Sequence, residues 1–266
     1  MSRFVVFTDL DGTLLDHHTY SYGAVRPALD RLRKGAIPLI MVSSKTRLEI
    51  EALRREIDNK DPFIPENGGA IFIPDDYDLA VPDNAIEMAG YRVILLGLPT
   101  SRIVEAFDKL ASKLPVRALS RMKTTEVAEL TGLSPAQAEA AKNREFGEAF
   151  IIDNPEIEES VLEREVQALG LRLTKGGRFW HLLGENDKGR AVSILSDLFR
   201  KRYPGIRTIG FGDAPNDAPM LAVVDQPFLV ARPDGSHQSL SLPNLNKVPL
   251  PGPAGVNHVL LSLLSG

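Results

Sequence analysis

Apolar positions along the chain fall into two patterns, short unbroken runs and stretches in which they return every three or four residues. Phe4 to Phe7, Ile37 to Val42 and Arg207 to Phe211 are runs of the first kind, each bounded by turn-forming or polar residues, and such runs read as strands buried on both faces. Between Tyr22 and Lys34, Val25, Ala28, Leu29 and Leu32 recur at helical spacing and Gly35 follows, which predicts a helix with a glycine stop. Thr46 to Asn59 and Lys188 to about Arg202 predict two more helices. Strand alternating with helix predicts an α/β fold, a Rossmann-like parallel sheet. Pro65 to Ile71, with Asn67-Gly68-Gly69 in the middle, reads as a turn into a short strand.

Between about Ala85 and Gly184 the texture changes. Strand-like Tyr91 to Leu96, helix-like Thr100 to Leu114, strand-like Glu148 to Ile152, a helix after Pro155 and the hairpin-like Leu171 to Leu183 predict an inserted α+β unit. The expected organisation is a discontinuous core of residues 1–84 plus 185–266, with residues 85–184 as a cap. Pro243 to Pro253 is proline-rich and is expected to be a surface connection before a last helix.

Composition narrows the function classes. The chain has 266 residues, 43% hydrophobic and 25% charged, enough for about two domains with a sizeable core. A formal charge of −4 argues against a large nucleic-acid footprint. The basic cluster Arg200-Lys201-Arg202 sits at an expected helix end, where cations complement the dipole. No cysteine is present, which excludes disulfides and thiolate-bound zinc. No apolar run approaches the roughly 18 to 20 residues that a bilayer span needs, and the acidic motif lies too near Met1 for a cleaved leader. A cytoplasmic protein is the expectation.

The candidate chemistry lies at the ends of the apolar runs. Phe4 to Phe7 delivers Thr8-Asp9-Leu10-Asp11-Gly12-Thr13, and in an extended chain Asp9 and Asp11 share one side. Two carboxylates on one side need a cation or a shared proton. A calcium loop counted from Asp9 fails, because Leu14 and Tyr20 stand where glycine and glutamate are required. No phosphate-binding P-loop string occurs, and Gly210-Phe211-Gly212 lacks the third glycine of a dinucleotide fingerprint. Ser43-Ser44-Lys45-Thr46-Arg47 follows the second strand at a helix start, a junction suited to anions. Gly212-Asp213-Ala214-Pro215-Asn216-Asp217 ends a later strand, and Lys188 opens the preceding helix. In a parallel sheet these pieces converge on the crevice beyond the carboxyl ends of the strands.

Asp9-Leu10-Asp11-Gly12-Thr13, Ser43, Lys188 and Gly-Asp-x-x-Asn-Asp resemble, in order and spacing, the four motifs of the haloacid dehalogenase superfamily of phosphatases. That resemblance implies Asp9 as a nucleophile forming an aspartyl-phosphate, Asp11 as general acid and base, and Ser43 and Lys188 as holders of phosphoryl oxygens. It implies magnesium held by Asp9, by the main-chain carbonyl of Asp11 and by Asp213, with Asn216 and Asp217 behind them.

Four further strings, 43–47, Glu66 to Ile71, Arg144 to Phe150 and Arg178 to Leu182, resemble the mannosyl-3-phosphoglycerate phosphatase branch. The resemblance implies a phosphorylated glycosyl-glycerate substrate, contacted by Lys45, Asn67, Gly68, Gly69, Arg144, Arg178 and His181. A broad sugar-phosphate phosphatase and a phosphomannomutase-like transferase are the alternatives. Gly147, Ala149 and Ala214 depart from the branch's usual residues and bear on substrate identity alone.

Overall fold

In a computed structural model, residues 4–154, 156–176 and 179–265 are described. Among them a larger sheet runs in the order Asn246–Pro251, Gln226–Ala231, Arg207–Gly212, Phe4–Thr8, Leu39–Val42, Phe63–Ile64, Ala70–Pro74, Tyr91–Leu95, Ile86–Met88. The first six are mutually parallel and the last three pair antiparallel. The sheet is buried on both sides because its strands are apolar on both sides. Val6, Met41, Phe63, Phe72 and Ile209 pack with the helices Arg26–Lys34, Arg47–Glu56 and Gly252–Leu263. Their neighbours Val5, Phe7, Ile40, Val42 and Ile64 pack on the opposite face with Lys188–Arg202 and Ala218–Val223. Alternation with a period of two therefore distributes one chain between two cores.

Local signals set the helix starts. Thr46 caps Arg47–Glu56 in a reciprocal box with Glu49. The Asp187 carboxylate accepts the Arg190 N–H at 2.8 Å and so starts the helix on Lys188. The helix expected from Tyr22 begins at Arg26, after a 3₁₀ turn over Gly23–Val25, with Pro27 in its first turn.

A second sheet, Val116–Ala118, Gly147–Ile152, Phe179–Leu183 and Arg172–Gly176 in that order, is antiparallel throughout. Thr100–Ala111 and Glu159–Ala168 cover one face through Phe107, Phe150, Leu162, Trp180 and Leu182. The other face meets Thr124–Thr131 and Pro135–Lys142 through Val127, Ala138 and Ala149. His181, between Trp180 and Leu182 in sequence, faces this second side.

Two expectations need correction. Ile86–Met88 and Tyr91–Leu95 belong to the larger sheet, so the change of sheet comes after Leu95 and not at residue 85. Val93 and Ile94 fill opposite cores, which is the mark of an interior strand. The proline-rich stretch is not a plain connection, since Asn246–Pro251 is a strand. It lies at the sheet edge, where proline removes no ladder bond that a neighbour needs. Among the described residues no helix is long and apolar enough to cross a membrane.

Phe72 is fully buried, stacked on Phe63 at 5.0 Å and tilted against Phe146. Phe72→Ala should lower unfolding free energy by about 3–5 kcal/mol. A urea midpoint shifted by less than the equivalent of about 1 kcal/mol would contradict this packing.

Candidate active site

Strand pairing brings distant residues to one edge. Thr8 lies opposite Phe211 on one side and Met41 on the other, so Asp9, Asp213 and Ser43 emerge together at the carboxyl ends of adjacent parallel strands. The Asp9 N–H donates to the Phe211 carbonyl at 2.9 Å. Beyond Asp9 the chain turns back, with Gly12 at φ +81° and the Leu15 N–H donating to the Leu10 carbonyl. A Cβ on Gly12 would lie 2.7 Å from Asp213 Oδ2, so glycine is needed both for the dihedral and for the approach. Thr13 Oγ1 donates to Asp213 Oδ1 at 2.9 Å and ties the first turn to the late acidic one.

Lys188 connects these parts. Its Nζ donates to Asp9 Oδ1 and to Asp217 Oδ1, both at 2.6 Å, with its side chain fully buried. Asp217 Oδ2 accepts the N–H groups of Asp213 and Ala214 at 3.0 Å each. Burial works against the Lys188 charge, but the Asp217 and Asp9 carboxylates outweigh it and hold the ammonium protonated above the usual lysine range. Burial followed by repulsion from Asp217 raises the Asp9 carboxyl well above the ordinary range, and Lys188 offsets only part of this. The same two causes push Asp213 up to about 7.

Asp9, Asp213 and Asp217 each present an oxygen within 4.8 Å of the others. Asp217 is already engaged through both oxygens, so Asp9 and Asp213 face a position where negative charge exceeds what one ammonium neutralises. Clustered carboxylate oxygens with raised proton affinity suit a hard divalent cation.

Asp11 is not part of that cluster. Because the chain turns after Asp9, its carboxylate points to Lys45 Nζ at 3.0 Å. Lys45 also meets Glu49 at 3.4 Å and lies over the Tyr20 ring. Burial opposes its charge, yet Asp11 and Glu49 raise its proton affinity above the ordinary range. Ser43 is buried and its Oγ accepts the Lys45 N–H at 3.2 Å.

Asp9, Asp11, Lys45, Arg144, His181 and Asn216 line a cavity of about 130 Å³ between the two sheets. Arg144 donates from Nη2 to the Ser44 carbonyl at 3.0 Å and pairs with Glu66 at 3.6 Å. His181 is buried. Burial, then the charges of Arg144 and Lys188, hold it well below the usual 6.5, so its ring is neutral.

Other expected contacts are absent from the cavity lining. Gly68 and Gly69 are packing positions: a Cβ on Gly68 would strike the Asp187 carbonyl, and one on Gly69 the Phe146 ring. Asn67 is buried behind the wall, its Oδ1 accepting from Asn216 Nδ2 at 3.3 Å. Arg178 lies outside the described residues. Sequence reasoning missed Ser44 and Tyr20, which line the cavity. It also missed Glu66 and Asn186, whose buried side chains link the two sheets' connecting segments. An acidic residue inside a glycine turn was the available signal for Glu66.

The family profile described as haloacid dehalogenase-like hydrolase matches residues 6–95. A glucosyl-3-phosphoglycerate/mannosyl-3-phosphoglycerate phosphatase from Methanococcoides burtonii is 42% identical, covering 98% of this chain and 97% of that protein. A mannosyl-3-phosphoglycerate phosphatase from Pyrococcus furiosus is 35% identical over 85% of this chain and 90% of that protein. Among solved structures, a haloacid dehalogenase-like hydrolase from B. subtilis superposes with a TM-score of 0.67 at 17% identity, covering 97% of this chain and 99% of that one. The chain belongs to the haloacid dehalogenase-like hydrolases, in the branch of the mannosyl-3-phosphoglycerate phosphatases.

The neutral His181 has a consequence for stability. Its folded-state proton affinity lies below that of the unfolded chain, so the unfolded state takes up the proton first as pH falls. Its contribution is present above about pH 6.5 and is lost progressively below. His181→Leu should flatten the fall in urea midpoint between pH 7 and pH 5 relative to wild type; parallel curves would contradict a buried neutral ring.

Proposed function

We propose that this protein is a phosphatase acting on a glycosyl-3-phosphoglycerate, the substrate class in its relatives' names, to yield the glycosylglycerate and phosphate. The observation that carries the reading is the buried Lys188 ammonium joining Asp9 to Asp217 beside Asp213. A phosphate monoester dianion repels an approaching anion, so its hydrolysis needs fixed positive charge around the phosphoryl oxygens and an aligned nucleophile.

In this reading the Asp9 carboxylate attacks phosphorus and an acyl-phosphate bond forms as the bond to the glyceryl oxygen breaks. Asp11 gives a proton to the departing oxygen, then takes one from the water that attacks the phosphorus, which releases phosphate and regenerates Asp9. Lys188 and Ser43 hold phosphoryl oxygens by charge and hydrogen bond. Asp217 fixes Lys188, and Asn216 with Asn67 braces the wall. Magnesium is the proposed cation, held through Asp9, Asp213 and the main-chain carbonyl of Asp11, and it supplies positive charge beside the phosphoryl group.

Substrate choice falls to the second sheet and its helices, which act as a cap starting after Leu95. Arg144 and Lys45 supply cations for the glycerate carboxylate, and the neutral His181 a hydrogen bond. A role for Arg178 on the same carboxylate belongs to the proposal as well. The cavity, about 130 Å³, is smaller than the roughly 300–1,000 Å³ usual for small-molecule pockets. In this reading the cap moves to admit a glycosylated substrate and release its product.

Asp9→Asn should lower kcat by at least about 10³-fold with the fold retained, and chelation should abolish wild-type turnover until magnesium is restored. Full turnover in the variant or under chelator would remove the nucleophile or the metal from the account. Arg144→Ala should reduce kcat/KM for mannosyl-3-phosphoglycerate at least about tenfold more than for an aryl phosphate. Equal losses on the two substrates would take Arg144 out of glycerate recognition.

A further inference from the structure

Glu66 is a fully buried carboxylate to which the phosphatase chemistry gives no task. Leaving a charge inside a protein is unfavourable unless it is paired and hydrogen-bonded, and the partners of Glu66 come from a single distant segment. Its Oε1 accepts the Glu145 N–H at 2.7 Å, its Oε2 accepts the Phe146 N–H at 3.0 Å, and Oε2 lies 3.6 Å from Arg144 Nε. Bonds from carboxylate to main-chain N–H groups are charge-assisted and directional. They constrain the path of the 144–146 backbone whatever side chains it carries.

The turn that holds Glu66 is itself tied to the phosphate side of the site. Glu66 and Asn67 adopt φ +49° and +54°, followed by Gly68 at +87°, a left-handed stretch uncommon for non-glycine residues. That conformation directs the Glu66 N–H to the Lys45 carbonyl and the Asn67 N–H to the Ser43 carbonyl, each at 2.9 Å. Arg144 in turn donates from Nη2 to the Ser44 carbonyl at 3.0 Å. Phe146 is buried in the core against Phe72, next to Gly69. The segment is thus gripped by its backbone, by a guanidinium and by a ring, and the 43–45 loop is bonded to the same turn.

We infer that Glu66 is a positioning residue, which acts through Arg144 by aligning the guanidinium on the same rigid turn that orients Ser43 and Lys45. This rests on the proposed role of Arg144 in binding the glycerate. Glu66 does not touch substrate in this account. It sets the distance between Arg144, which binds the carboxylate, and Ser43, which binds the phosphoryl, and so matches the site to a substrate bearing both.

The test is a double-mutant cycle with Glu66→Gln and Arg144→Ala, read as kcat/KM for mannosyl-3-phosphoglycerate and for an aryl phosphate. Glu66→Gln keeps the side chain's shape but replaces one acceptor by a donor facing an N–H. It should lower kcat/KM for the glycerate substrate on the order of 10- to 100-fold, mainly through KM, and change the aryl phosphate by less than about threefold. In the Arg144→Ala background it should add less than about twofold. Equal losses on both substrates, or the same loss in both backgrounds, would mark Glu66 as merely structural and overturn the inference. A failure of Arg144→Ala to discriminate the substrates, with the Glu66→Gln loss intact, would overturn it too, and would also count against the glycerate reading. Amide hydrogen exchange on the wild-type enzyme supplies a reading that needs no variant. Slow exchange at Glu145 and Phe146 is expected, and exchange at the rate of open loops would contradict the anchoring.

Discussion

One buried ammonium holds the catalytic end of this molecule together. Lys188 satisfies Asp9 from the first strand and Asp217 from the late acidic loop at 2.6 Å each. Asp217 then orders the N–H groups that shape the turn carrying Asp213. Without that cation the low-dielectric pocket would contain crowded carboxylates and nothing to offset them, and ionised acids so placed would take up protons or separate. The burial that makes the arrangement electrostatically demanding is also what makes fixed charges effective on a phosphoryl group.

The parallel sheet makes this convergence possible over a long sequence separation. Neighbouring strands in register end at the same level, so residues just past Thr8, Val42 and Gly212 meet without further instruction. The antiparallel strands added after Phe63–Ile64 extend the sheet on the side from which the second unit departs. The turn 65–69 marks the change of direction, and its left-handed residues place a carboxylate where the chain of the second unit passes. A topological change in the sheet and a contact between the two units are thus one piece of backbone.

Much of this was readable before any coordinates, for physical reasons that differ between residues. Asp9, Asp213 and Lys188 each follow a local signal, an apolar strand ending in an acidic turn or a helix start, and local signals survive in a linear reading. The direction of Asp11 was not readable, because extended geometry was carried past the strand's end at Thr8 and the turn at Gly12 sends its carboxylate to Lys45. Gly68 and Gly69 were implied as ligand contacts by the resemblance of the string from Glu66 to Ile71. Here the close neighbours are Asp187 and Phe146. Glu66 and Asn186 were missed because their meaning lies in main-chain partners about eighty and one hundred and twenty residues away, which no periodicity reports. The strand Asn246–Pro251 was hidden by its prolines, which an edge position tolerates.

The central claim is that the Asp9 carboxylate, held by Lys188 beside the divalent-cation position, becomes bonded to phosphorus during turnover. Rapid acid quench of the enzyme with ³²P-labelled mannosyl-3-phosphoglycerate and magnesium, followed by peptide mapping, tests it most directly. The account predicts an acid-stable, hydroxylamine-sensitive label on the peptide containing Asp9, formed and lost at rates that support turnover. Label on another residue, or turnover with no label on the enzyme at any quench time, would contradict it.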